Sequence, residues 1–299
     1  FFRTMFFGGG VSWFEEIFGF EEDAYEATRA QFTVETHRAA DGDAAYVLTS
    51  KANQKSFYVG PFHCPSVAAL RSKAQAAQFS PEMRPLTFGN VTGCVRRLHW
   101  DPGHAGAVFQ VASQFNCLEM VGPSVTPAEG ITGYEYDGTQ GPACAMVCAP
   151  ATVFRNYFVN EKGQGTTQLD LLDDVAAMLQ NDKHGYWNMV NGYCLETSRE
   201  AFESLAARLQ DPRLSEEVVA KLKVGVHPDT SVVNHSHNVC QVFCSALPVA
   251  YSALPDEAWA KFACCVLEGA YEATLAVAAL AAAQRQRRVS VFLTKLGGG

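Results

Sequence analysis

Asp137 opens the run Asp137-Gly138-Thr139-Gln140-Gly141-Pro142, and small, apolar and aromatic residues follow as far as Phe158. Two kinds of chemistry suit a carboxylate set beside a bare glycine at the start of a helix. The amides of a first helical turn have no partner within the helix, and together with the helix dipole they attract anions. Gly141 lets a ligand approach the backbone closely, and Pro142 loses nothing there because its missing N–H would be unpaired. The carboxylate can position a water or take its proton. The same residues also read as a plain helix start capped by Asp137 or Thr139.

Three other loops carry groups of this kind. In "QFNCLE", Gln114, Asn116 and Glu119 follow a buried strand, and the Asn116 amide offers both a donor and an acceptor for sugar hydroxyls. Asn116 as a helix cap and Glu119 as a surface acid is the alternative there. In "FLTKLGGG", three glycines after a buried strand form a turn whose successive amides can converge on an anion, or else a flexible tail. In "NHSHNVCQVFCS", His235, His237, Cys240 and Cys244 have a spacing that fits no zinc pattern; a Cys–His nucleophile is conceivable, against surface histidines leading into core thiols. Glu15 and Glu16 are adjacent, about 100° apart on a helix, and read as a solvated helix start rather than one site.

The elements that must hold these loops alternate strand, loop and helix. A strand ends near Ala112; helices are expected at about 141–158, 168–181, 198–210, 214–221 and 255–285; strands are expected within 222–228, 237–252 and 289–294. Earlier, Ser12 and Glu15 form a capping-box signature, "QFTVETH", "AAYVLTS" and "SFYVGPF" read as short strands, 64–78 as a helix, and 85–100 as strand broken by glycines. This order predicts an α/β fold with helices on both faces of a sheet and ligands at the carboxyl ends of its strands. One domain is expected, with an N-terminal elaboration at 1–85 packed on a core at 86–299. The start at Phe1 and the stop on three glycines read as cut ends.

Composition narrows the classes of function. With 48% hydrophobic residues in 299, a large core can be buried. A net charge of −8 argues against nucleic acid, whose binding needs Lys and Arg to neutralise phosphates. The ten cysteines, scattered in apolar surroundings, read as reduced thiols of a cytosol-like compartment. The longest apolar run, 274–283, is too short to cross a membrane and reads as part of a core helix.

Taken in order, "SQFNCLEM", "TPAEGITGYEYDGTQGPACA", "RNYF", "NGY", "CSALPVAYS" and "VFLTKLGGG" resemble a divergent branch of the macrodomain family, related to poly(ADP-ribose) glycohydrolases and bacterial effector ADP-ribosyl hydrolases. The resemblance runs from about Phe88 to the end, and the D-x-T-Q-G-P-A-C-A run is its most specific part. The chain departs from that pattern at Lys295, where an apolar residue is expected. The glycohydrolase signature of three glycines followed by Gln-Glu-Glu is absent as such, and "GGGVSWFEE" only echoes it.

The resemblance implies a macrodomain-like mixed sheet flanked by helices. It also implies hydrolysis of the glycosidic bond at the distal ribose of ADP-ribosylated protein or a related conjugate. ADP-ribose or an ADP-ribosylated protein is the expected partner, with no nucleic acid, membrane, cofactor or metal, in the cytoplasm or after delivery to a cytosol. On that reading Asp137 is the first choice of catalytic acid, with Glu129 and Glu119 next. Asn116 orients ribose hydroxyls. Gln140, Gly141, Pro142 and Ala143 clasp the diphosphate together with Gly297, Gly298 and Gly299. Tyr134, Phe115 and Phe158 are available to adenine. A non-catalytic ADP-ribose reader and a Cys240–His237 hydrolase are the alternatives.

Overall fold

A computed structural model of the chain describes residues 10–38, 42, 44–79 and 86–297. Ser12 starts helix α1 (Trp13–Phe18) by accepting a hydrogen bond from the Glu15 amide at 3.1 Å, and Gly19 ends it in the left-handed region at φ 82°. Helix α2 (Tyr25–Ala30) then leads to an antiparallel sheet of β1 (Phe32–Arg38), β2 (Ala44–Ser50) and β3 (Ser56–Gly60), the three strands expected there. Helix α3 (Val67–Ala76) follows, capped by Ser66.

Of the strand character expected over 85–100, none forms among the described residues 86–100. Residues 86–94 carry no regular element, and α4 (Val95–Trp100) is a helix. Tertiary burial overrides local β-propensity here. His99 is sealed inside, stacked on Phe109 with ring centroids 3.7 Å apart, and its Nδ1 meets the Val95 carbonyl at 2.9 Å, a bond across one helical turn.

Strand β4 (Val108–Ala112) is the centre of the molecule. Next come α5 (Gln140–Val147) and α6 (Ala149–Tyr157), then α7 (Asp173–Leu179) and α8 (Asn181–His184). The expected single helix over 141–158 is therefore two, broken at Cys148 (φ −114°, ψ 46°), because Pro150 cannot donate and crowds the preceding turn. The Thr152 hydroxyl donates to the Ala145 carbonyl at 2.9 Å, satisfying a group beside the break. A hairpin of β5 (Trp187–Val190) and β6 (Tyr193–Glu196) turns on Asn191 and Gly192, both at positive φ (47° and 80°), as a two-residue turn requires.

Helices α9 (Arg199–Arg208) and α10 (Pro212–Lys221), strands β7 (Gly225–Ser231) and β8 (Asn238–Cys244), helix α11 (Asp256–Arg285) and strand β9 (Val291–Phe292) complete the chain. The main sheet has the order β7-β8-β4-β9; β4 runs parallel to β8 and β9, and β7 antiparallel to β8. The fold is α/β with a mixed sheet flanked by helices. β4 and β8 are near-continuous buried runs because both their faces are covered.

One buried glutamine on each central strand pegs a covering helix. Gln110 donates to the Thr274 hydroxyl of α11 at 3.0 Å, and Gln241 donates to the Cys144 carbonyl of α5 at 3.0 Å. By length and composition α11 could cross a membrane. Its stripe of Trp259, Phe262, Val266, Ala270, Ala273 and Val277 is buried in the same core cluster as β4 and β8. The N-terminal part shares a second cluster with the core, in which Trp13, Phe14, Phe18, Phe32 and Leu48 join Phe109 and residues of α5 and α6.

Candidate functional site

The start of α5 lies against the carboxyl end of β4. A Cβ added at Gly141 would stand 2.1 Å from the Ala112 carbonyl oxygen and 3.0 Å from Cγ of Glu119, so only glycine permits this approach. The Gln140 side chain fixes the register: its oxygen accepts from the Ala112 amide at 2.9 Å and its nitrogen donates to the Gln110 carbonyl at 2.8 Å. The short β9 pairs with β4 only at Val108 and Phe109, and Gln140 serves the strand beyond that point. No side chain caps α5. Asp137 instead accepts from the Thr139 amide at 2.8 Å, a turn just ahead of the helix.

The loop from β4 into this region is stapled from several sides. The Gln114 amide group holds Met120 by both backbone atoms, at 2.8 and 3.0 Å, and the Tyr193 hydroxyl donates to the Met120 carbonyl at 2.9 Å. The Tyr134 hydroxyl accepts from the Glu119 amide at 2.9 Å. Beneath, the buried Arg155 donates from Nε to the Cys117 carbonyl (3.0 Å) and from Nη2 to the Thr152 hydroxyl (3.1 Å), with its guanidinium 3.8 Å over the Phe243 ring. Its Nη1 lies 3.4 Å from Nδ1 of His227. Burial, then Arg155, then His63 hold His227 well below its ordinary pKa, so a neutral ring faces the cation.

Glu119 is the anomaly in this construction. It is buried, and neither carboxyl oxygen has a hydrogen-bond partner. Burial pushes its pKa up to about 8 and Asp137 adds to the rise, while Arg155 and then the Tyr134 hydroxyl oppose it. At neutral pH the group is a carboxylic acid poised near the ambient proton activity, the condition for a general acid or base.

The structure brings together Glu119, Asp137 and the run Gln140 to Ala143. Gly297 (φ 68°) belongs to the same edge of the sheet: a Cβ there would meet Ala246, two residues past Cys244, and Cys244 is the β8 partner of Ala112. Gly298 and Gly299 lie outside the described residues. Glu129 stands apart, its carboxylate closing a capping box on the Thr126 amide at 2.8 Å. Asn116 is buried, donating to Gln168 at 2.9 Å and accepting from the Leu118 amide at 3.0 Å. Tyr134 and Phe115 are core residues, whereas the exposed aromatic rings near the site are Tyr136 and Tyr251. Tyr251 lies edge-on to Tyr193, at 5.5 Å.

Arg155 and Tyr193 lie in the stretches "RNYF" and "NGY" that carry the family resemblance, but the sequence alone assigns neither a role. The signal for Arg155 was present: a lone cation inside the apolar helix run "ATVFRNYF" must be buried with partners.

Two cavities lie away from this edge. One of about 370 Å³ is walled by Trp13, Arg96, Trp100, Met146 and His235; one of about 620 Å³ lies between Tyr46, Phe62, Cys64, Phe154 and Phe158. Phe158 thus lines the second cavity rather than the α5 start. Among the described residues no group of three His, Cys, Asp or Glu is arranged to hold a metal. His237 donates from Nε2 to the His99 carbonyl at 2.7 Å, and burial pushes the Cys240 thiol up to about 12. Under native conditions iodoacetamide is therefore expected to label exposed Cys94 and Cys264 and to spare Cys240, as read by peptide mass spectrometry.

In comparisons with known proteins, no family model, no curated protein and no solved structure matches this chain.

Proposed function

We propose that the chain is an ADP-ribosyl hydrolase acting at the start of α5, with Glu119 as its proton-carrying group. One observation supports the reading above the rest: a buried carboxyl, bonded through neither oxygen, lies under a helix start that no side chain caps. Leaving such a group unpaired costs stability, and a fold keeps it where it exchanges a proton with a bound molecule. The uncapped amides of α5, with those around Gly297, receive the diphosphate of ADP-ribose. Glu119 protonates the departing atom at C1 of the distal ribose as positive charge develops on the sugar. Asp137, beside Glu119 at the helix start, orients the attacking water.

A second reading is a binder of ADP-ribose without turnover, the same cleft with no competent acid, and it draws on Asp137 spending its carboxylate on the Thr139 amide. Incubation with mono- and poly-ADP-ribosylated proteins separates the two. A hydrolase releases ADP-ribose into solution, and Asp137→Ala lowers turnover far more than affinity. A binder retains the modified protein and releases nothing. If ADP-ribose is not released and the modified protein is not retained, both readings are contradicted.

A further inference from the structure

The candidate site makes no use of the Cys117 thiol, whose position is unusual. Residues 63–66 run antiparallel to 223–226, bridged at His63–Val226 and Ser66–Lys223, which sets Cys64 opposite Gly225. A Cβ added at Gly225 would lie 2.5 Å from the Cys117 sulfur and 3.4 Å from Phe62. The Cys117 thiol thus fills the space that a side chain would take at Gly225, the residue opposite Cys64, and the two thiols are near enough to interact electrostatically. Cys117 is fully buried, whereas Cys64 is half-buried and lines the 620 Å³ cavity beside Phe62 and His63. One thiol is reachable through the cavity, and the second is buried at the side-chain position of the residue opposite it.

We propose that Cys64 and Cys117 form an oxidisable dithiol that hydrogen peroxide converts into a disulfide. The Cys64 sulfur attacks one peroxide oxygen, the O–O bond breaks, and a sulfenic acid and one water result. The Cys117 sulfur then displaces that hydroxyl: the S–S bond forms, the S–O bond breaks, and the Cys117 proton leaves with the hydroxyl as a second water. Two thiols are oxidised and one peroxide is reduced. Cys117 sits at φ 61°, and its carbonyl is the one Arg155 holds, two residues before Glu119. The new bond therefore pulls on the turn that carries Glu119. That consequence rests on the function proposed above; the bond itself does not.

The test treats the full chain with hydrogen peroxide, blocks remaining thiols with iodoacetamide under denaturing conditions, and digests without reductant using trypsin and a glutamyl endopeptidase. Cys64 then lies alone in 56–71, and Cys117 is the only cysteine in the peptide ending at Glu119. The expected result is a linked pair of these peptides, lighter by two hydrogens than their sum and separated by dithiothreitol. In Cys64→Ser, Cys117 should stay fully alkylatable at the same dose. Linkage of Cys64 to exposed Cys94 or Cys264, no linkage at all, or equal oxidation of Cys117 in Cys64→Ser overturns the proposal. The mass readout holds whether or not ADP-ribose binds.

Discussion

Glu119→Gln is expected to fold, to bind ADP-ribose within a few-fold of the parent, and to lose about 10²–10⁴-fold in turnover, the usual contribution of a positioned proton donor. Glutamine keeps the shape and removes the transferable proton. The same variant has a signature in stability that needs no substrate. The folded-state pKa of about 8 lies above the ordinary value of 4.5, so the folded protein binds the more tightly held proton. Stability from this group is complete below about pH 4.5 and is lost as pH rises through about 8, at about 1.4 kcal/mol per pH unit between the two. The whole span is on the order of 5 kcal/mol. His99, held down to about 4 by burial, tilts the profile the other way across more acid pH. The difference between parent and variant cancels such terms. Denaturant titrations from pH 5 to 8 should therefore show the parent losing ground to Glu119→Gln steadily; a flat difference means that Glu119 ionises as readily folded as unfolded.

Gly141→Ala is expected to be the most damaging single-methyl change at the site. The added carbon would meet a strand carbonyl at 2.1 Å, inside any permitted contact, and a backbone atom cannot swing away as a side-chain tip can. Helix α5 must withdraw from β4, which strains both Gln140 bonds and uncovers Glu119. A loss of about 3 kcal/mol, at the upper end for overpacking, corresponds to a drop in Tm on the order of 5–10 °C. Differential scanning calorimetry measures it. A Tm within a degree of the parent would mean that α5 and β4 are not in this contact. ADP-ribose binding should fall with the displacement even in protein that remains folded.

Much of the architecture was legible because strong signals were local. The 30-residue α11, the Ser12 cap, the three early strands and the buried β4 and β8 each follow from periodicity, capping chemistry or apolar runs. The misreadings have tertiary causes. Residues 95–100 form a helix because His99 is buried against Phe109, and nothing within those six residues announces that partner. The break at Cys148 was written in Pro150 but hidden by the apolar continuity around it.

At the site, the glycine at the helix start signalled a close approach but to a ligand, whereas the Ala112 carbonyl and Cγ of Glu119 take that space. The ranking of the acids could not be anticipated, since it depends on where each carboxyl is held. Glu129 satisfies its own capping box, Asp137 turns onto Thr139, and only Glu119 is left buried and unbonded. Burial is a property of the assembled layers. In the sequence Glu119 looks like an ordinary polar residue of a loop.

An ADP-ribosyl hydrolase of this design requires that the start of α5 take a nucleotide diphosphate joined to a second ribose. Isothermal titration of the protein with ADP-ribose, with AMP and ribose 5-phosphate as controls, tests this directly. The expected result is saturable one-to-one binding of ADP-ribose, weakened at least tenfold in Gly141→Ala and much weaker for either fragment. Absence of heat with ADP-ribose, or equal binding of AMP alone, would contradict it.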